Sequence, residues 1–201
     1  MPRGFTEKEK KKIKELLINE GERLFARYGL KKTSIKDLTN AVGIAQGSFY
    51  KFFSSKEVLY FEIIEQNEKE IKYKLLSEDI QKGEINKKIF REFLKKAMKL
   101  IEEYPLIKNM YNSDEYQQML SKLPKDKINE HINDDTDTLA PLLKSWQKKG
   151  SIKNYDIDAI SGLLRALFLL TLHKKEIGEK QFDKTIDLFI NLISDGLIKE
   201  N

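Results

Sequence analysis

The sequence predicts an all-α protein, and three observations carry that reading. Of 201 residues, 34% are charged and 40% hydrophobic, and the two kinds interleave at helical spacing instead of standing in blocks. Only 4 prolines interrupt the chain. Valine, a strong strand former, is confined to Val42 and Val58, which leaves β structure little to build on. The length suffices for one or two helical units, each with a real core.

In chain order, Thr6 with Glu9 three residues on forms a capping-box pattern that opens a first helix. Ile13, Leu16, Leu17, Leu24, Phe25 and Tyr28 fall toward one side of it, and Gly29 stops it. Lys8 to Lys12 read either as an arm toward a polyanion or as a frayed end. Ser34 caps a second, short helix whose inward positions are Ile35, Leu38 and Val42. Gly43 ends that helix in the left-handed conformation, which a residue with a Cβ adopts only with strain. Ile44 plugs the turn, and a third short helix is expected from about Ala45 to Phe52. Phe49, with Phe52 or Phe53, faces inward there, which leaves Gln46, Ser48, Tyr50 and Lys51 outward.

Two helices joined by a tight glycine turn make the helix-turn-helix pattern. Its last helix carries amide, hydroxyl, phenol and ammonium groups, a set able to read base edges and grip phosphates. The spacing alone fits an ordinary helical hairpin with a solvated polar face equally well. Charge favours the first reading. Residues 1–56 hold thirteen Lys or Arg against six Asp or Glu, a surplus of seven, whereas the whole chain is only +5. Positive charge concentrated in this way suits phosphate neutralisation with counterion release.

Ser54-Ser55 offers a cap for a long helix opened by Lys56-Glu57, with Val58, Leu59 and Phe61 to Ile64 near its start. Beyond residue 75 periodicity is the guide. Ile89, Phe93, Leu94, Ala97, Met98 and Ile101 form a helical face ending at Tyr104, and Pro105 suits the first turn of the next helix. Ser113-Asp114-Glu115 marks a turn or cap before Tyr116, Met119 and Leu120. A further helix is expected from Pro124 to about Lys149, with a kink or break at Pro141. Two final helices, roughly 156–175 and 179–199, meet around Gly178. The first is apolar nearly all round from Leu163 to Leu172, so it needs cover on more than one side. In the second, Phe182, Ile186, Phe189, Ile193 and Leu197 form a stripe, with Leu188 and Leu192 beside it. A second copy of the chain would cover both helices through an isologous contact.

Thr33-Ser34-Ile35, Leu38, Ala41-Val42-Gly43-Ile44, Gly47-Ser48-Phe49-Tyr50, Phe53, Ser55-Lys56-Glu57 and Leu59 together resemble the DNA-binding domain of the TetR/AcrR family. Leu24-Phe25, Tyr28-Gly29 and Thr33 resemble the end of that family's first helix. The likeness covers about residues 10–60. It departs at Ala45, where the family has a Ser or Thr cap, at Thr39 and Gly21, where Ala is usual, and at Phe52. The resemblance implies a three-helix DNA-binding domain over residues 1–54 and a helical effector-binding and dimerisation domain over 55–201. It implies a homodimeric repressor on a near-palindromic double-stranded operator. Thr33, Lys36, Gln46, Gly47, Ser48, Tyr50, Lys51 and Lys56 would meet the DNA, with Thr33, Ser48, Tyr50 and Lys56 on phosphates. Dimerisation through the last two long helices would use Leu163, Leu167, Leu170, Phe189 and Ile193. Two other readings stay open: a TetR-like protein answering to a protein partner or to no ligand, and a helical interaction adaptor.

Catalytic and metal chemistry finds little footing. There are no cysteines and only 2 histidines. His131 stands near Asp134, Asp135 and Asp137, which read as a solvated acidic turn because no calcium-loop glycine or His pair accompanies them. No nucleophile-elbow or phosphate-cradling glycine motif is present, so an enzyme, a cofactor and a metal are not expected. The longest apolar run is too short to span a bilayer, and a cytoplasmic protein is expected. The middle of the chain is rich in aromatics and Met, the lining an apolar or aromatic effector would need. Candidates are Phe93, Tyr104, Tyr111, Tyr116, Trp146 and Phe168, each of which serves ordinary core packing as well.

Overall fold

A computed structural model describes residues 5–76, 80, 85–111, 115–124 and 139–199, leaving out the side chains at 110, 111, 115–118 and 172. The helices are α1 (Glu7–Lys32), α2 (Ile35–Val42), a 3-10 segment η1 (Gln46–Lys51), α3 (Lys56–Leu75), α4 (Lys87–Glu102), α5 (Pro105–Tyr111) and α6 (Glu115–Lys122). Then come a helical stretch over 139–148, α7, followed by α8 (Ile157–Leu172), α9 (Lys174–Ile177) and α10 (Phe182–Leu197). The chain is all-α; its one β feature among the described residues is an isolated antiparallel bridge between Ile152 and Ile198. Contacts divide it into two units, Met1–Glu68 with Pro105–Lys125, and Lys69–Tyr104 with Asp126–Asn201. The first unit takes in α3 as far as Glu68.

In the first unit, α1 packs on α2 and α5, and α2 on η1. Leu17, Leu24, Phe25, Leu30, Leu38, Phe49, Leu59, Tyr60, Ile63 and Ile64 are buried. Phe25 meets the Tyr60 ring edge-on at 5.1 Å, an arrangement the ring quadrupoles favour. Gly21 lets α3 approach α1 closely: a Cβ there would stand 3.1 Å from Ile63 Cδ1 and 3.2 Å from Leu59 Cδ2. Gly29, expected to stop α1, instead kinks it at φ 78°, and the helix runs on to Lys32. Pro105 is the first residue of α5, the position where its missing N–H is harmless.

The second unit closes around Phe90, Phe93, Leu143, Trp146, Ile160, Leu164, Leu167, Ile186, Ile190 and Ile193, among others. Trp146 receives Phe90 and Phe93 edge-on at 6.1 and 5.8 Å. Asp195 of α10 ties down α4 through Lys87 at 3.2 Å and Arg91 at 3.0 Å. The Lys87 hydrogen bond, helped by the Arg91 charge, holds the Asp195 carboxyl below its ordinary range. The final pair of helices falls where the periodicity placed it, except that His173 interrupts before the short α9 and Gly178, at φ 106°, follows it. Of the helix expected from Pro124 to Lys149, residues 125–138 lie outside the described residues, as do Ser113 and Asp114.

The inward stripe of α10 differs from the expected one by a residue. Ile190 is 1% exposed and Phe189 is 40% exposed. Ile186, Ile190, Ile193 and Leu197 follow the i, i+4, i+7, i+11 path of a helix, and Phe189 falls just off it.

Candidate nucleic-acid interface

The helix-turn-helix is set by its caps. The Ser34 hydroxyl accepts from the Asp37 N–H at 3.2 Å, while the Asp37 carboxylate accepts from the Ser34 N–H at 2.9 Å and from its hydroxyl at 2.6 Å. These bonds from Ser34 lower the Asp37 pKa. Because the folded value lies below the unfolded one, the stabilisation is present above the ordinary carboxylate range and is lost as pH falls below it. Ser34→Ala is expected to destabilise the first unit by about 1 kcal/mol at neutral pH. The loss should shrink in acid, as a denaturant titration at two pH values would show.

Gly43 closes α2 at φ 76°, ψ 33°, and Ile44 N–H donates to the Thr39 carbonyl at 3.0 Å. After this turn η1 starts at Gln46 without a side-chain cap on Ala45, as the missing Ser or Thr foretold. The segment is a 3-10 turn where a longer helix to Phe52 was expected. Six residues with Gly47 among them and no cap leave little to hold the wider α geometry.

A 3-10 turn superposes residues three apart, so Gly47 and Tyr50 share one row, and Ser48 and Lys51 another. The third row holds Phe49, which is fully buried and meets Phe53 at 5.9 Å. Gln46 begins that row at its exposed end. Tyr50 is 59% exposed and stands edge-on to Phe49 at 5.7 Å. Gln46, Gly47, Tyr50 and Lys51 are each exposed, with Ser48 partly exposed and Lys36 of α2 exposed.

Thr33 and Lys56 are engaged inside the unit. Thr33 is 2% exposed, and its hydroxyl donates to the Gly29 carbonyl at 2.8 Å. The Lys56 ammonium donates to the carbonyls of Leu30 at 2.6 Å and Thr33 at 2.8 Å, with that of Lys31 at 3.4 Å. The phosphate contacts expected of these two side chains would have to displace bonds already made.

Phe5 is a neighbour of this surface that sequence reasoning missed. Its ring lies 6.1 Å from Phe52 and 5.4 Å from the Lys51 ammonium, and a lone aromatic ahead of the first helix gave no periodic signal. Lys8, Lys10, Lys11 and Lys12 are exposed on the first turns of α1.

Elsewhere, Phe93 and Trp146 sit in the core of the second unit. Tyr104 is buried, with its hydroxyl donating to Glu70 at 3.0 Å and accepting from Lys74 at 2.7 Å. Phe168 is partly buried, and Tyr111 and Tyr116 lie on α5 and α6 with their side chains outside the described residues. Leu167 and Ile193, expected to join two chains, are 4% and 7% exposed and belong to the core of their own chain. Leu170 packs partly buried against that core. The exposed apolar side chains of α8 and α10 are Leu163, Leu169, Leu188, Phe189 and Leu192. Among the described residues no group of His, Cys, Asp and Glu suits a metal ion, and no helix is long and apolar enough to cross a membrane.

A basic helix-turn-helix with an exposed polar reading segment defines a DNA-binding protein. Residues 17–63 match the family model described as bacterial regulatory proteins, tetR family. Over 81% of this chain and 76% of the other, the sequence is 25% identical to the Escherichia coli (strain K12) protein named "Probable acrEF/envCD operon repressor". It is 42% identical to the HTH-type transcriptional repressor KstR2 of Rhodococcus jostii over 24% of each chain. The fold matches a TetR-family transcriptional regulator from Pectobacterium atrosepticum with a TM-score of 0.73, at 19% identity, over 98% of this chain and 100% of that one. Residues 17–63 thus carry a tetR-family DNA-binding domain, and over most of its length the chain is similar to DNA-binding repressors of transcription.

Proposed function

We propose that the chain is a homodimeric repressor that grips a near-palindromic operator through η1 and is released by a small apolar or aromatic effector. The observation that carries this reading is the outward set Gln46, Tyr50 and Lys51 on a segment pinned from behind by buried Phe49. The positive surplus of residues 1–56 supports it, and two of the named relatives are repressors. In this reading the DNA-binding domain is residues 1–54, and residues 55–201 bind effector and partner.

Gln46, Gly47, Ser48 and Lys51 read the major groove, with Lys36 at its edge and Ser48 and Tyr50 on phosphates. Gel shift against the region upstream of the chain's own gene is the direct test, and a salt-sensitive, sequence-specific band is the expected result. Gln46→Ala should lower discrimination among operator variants by roughly 1–3 kcal/mol per contacted base. Affinity lost with an unchanged order of preference would remove Gln46 from the readers.

Two-fold assembly through α8 and α10 is supported by the exposed Leu163, Leu169, Leu188, Phe189 and Leu192 on neighbouring helices. For the effector, Trp146 offers a buried indole N–H without a hydrogen-bond partner, a group that an acceptor on a ligand would satisfy. Phe93, Tyr104 and Phe168 of the same unit complete the proposed lining. Weakening operator binding about 100-fold requires roughly 2.7 kcal/mol of preference for one arrangement, and operator must weaken the effector equally. Calorimetry with a ligand that raises the melting temperature, done with and without operator, measures that linkage. Equal affinities would show that the ligand does not control DNA binding.

A further inference from the structure

The connection between α1 and α2 is held by a side chain from outside it. After the kink at Gly29, α1 ends at Lys32 and Thr33 is its C-cap, in extended conformation. Thr33 takes the Gly29 carbonyl at 2.8 Å. Lys56, more than twenty residues on, takes those of Leu30 and Thr33 at 2.6 and 2.8 Å. Ser34, the cap of α2, is the next residue after Thr33, and Lys56 is itself the first residue of α3. One ammonium thus joins the end of α1, the start of α2 and the start of α3.

We propose that Lys56 is a positioning residue for DNA binding, fixing the helix-turn-helix to α3 through the Leu30 and Thr33 carbonyls instead of neutralising a phosphate. The inference rests on the reading of η1 as the DNA-contacting segment. The chemistry favours lysine specifically. A compact ammonium directs three donors at acceptors spread around one point, whereas a guanidinium directs its donors in a plane. With the contact removed, α2 keeps its cap and η1 its buried Phe49, but both lose their tie to α3. The reading surface then samples orientations that do not fit the groove, and the fraction able to bind falls.

The test compares the wild type, Lys56→Met and Lys56→Arg on a duplex selected by the wild type from a random-sequence pool, and on a scrambled duplex. All measurements are made where circular dichroism shows each chain folded. Positioning predicts that both variants lose about tenfold or more on the selected duplex, the scale of a lost hydrogen bond to a charged group. It also predicts little change on the scrambled duplex and a wild-type salt slope on the selected one. Without DNA, amide exchange over residues 29–34 should accelerate in both. Wild-type affinity for Lys56→Arg, with a salt slope for Lys56→Met smaller by about one phosphate contact, would assign Lys56 to the backbone and overturn the proposal. Lower melting temperatures with wild-type affinity in both would make the contact merely structural and overturn it too. A wild type that selects no sequence would overturn the reading of η1 first, and this inference with it.

Discussion

Leu188→Glu combined with Leu192→Glu is expected to yield a chain that stays helical, sediments as a monomer and loses operator affinity on the order of 100- to 10,000-fold. The loss reflects the effective concentration that a second, linked reading head supplies. Leu188 and Leu192 are 58% and 60% exposed, so the new carboxylates meet water in the separated chain. In the proposed dimer they would be buried without partners, which opposes association strongly. Leu167→Glu is the informative contrast. Leu167 is 4% exposed within its own chain's core, so that charge should unfold the second unit instead of parting two intact chains. Sedimentation and circular dichroism on the two variants separate the outcomes. A folded, monomeric Leu167→Glu chain beside a dimeric Leu188, Leu192 double variant would reverse the assignment of core and interface.

Phe49→Ala should abolish DNA binding by a different route. The ring is fully buried, with Phe53 and Tyr50 against it at 5.9 and 5.7 Å. Truncating such a ring typically destabilises by about 3–5 kcal/mol. Six residues of uncapped 3-10 turn have few other contacts to hold their reading face outward. Amide exchange is expected to accelerate across residues 7–64 well before residues 157–197 are affected, and operator binding should vanish at temperatures where helical signal from the rest persists. Uniform acceleration along the chain, or retained operator binding, would show that Phe49 does not anchor the segment.

The sequence was most legible where a local rule stands alone. Thr6 with Glu9, Ser34 before its apolar face, Gly43 and Pro105 each fulfil a backbone requirement that neighbours cannot change, and each occupies the expected place. The absent cap at Ala45 was legible for the same reason, though the resulting 3-10 geometry was not. Faces of the last helices were harder. Where α8 is apolar nearly all round, periodicity cannot say which leucines a chain buries in itself and which it leaves for a partner. Leu163 and Leu167 look alike in sequence yet differ from 41% to 4% exposed. On α10 the choice between Phe189 and Ile190 turned on packing against the second unit's core.

The candidate site was legible as a set of outward residues and illegible in its supports. Nothing in the sequence places Lys56 against carbonyls more than twenty residues earlier, because that contact depends on how α3 returns across the end of α1. Phe5 beside Lys51 is likewise a tertiary fact. The aromatic middle of the chain read as core first and as pocket second. The buried Phe90, Phe93 and Trp146 cluster shows core packing, with the Trp146 N–H as its one unmet polar group among those three residues.

The central claim is that two copies of the segment Gln46–Lys51 read DNA together. Selection of duplexes from a random pool by the full chain, followed by the mass of the complex with the winning sequence, tests it most directly. The account predicts an enriched near-palindrome with half-sites centred about 34–36 Å apart or a multiple of that. It also predicts two chains, or a multiple of two, on each duplex. Enrichment of a single unrepeated site by one chain would contradict the paired reading heads, and a pool left unenriched would contradict sequence-specific binding altogether.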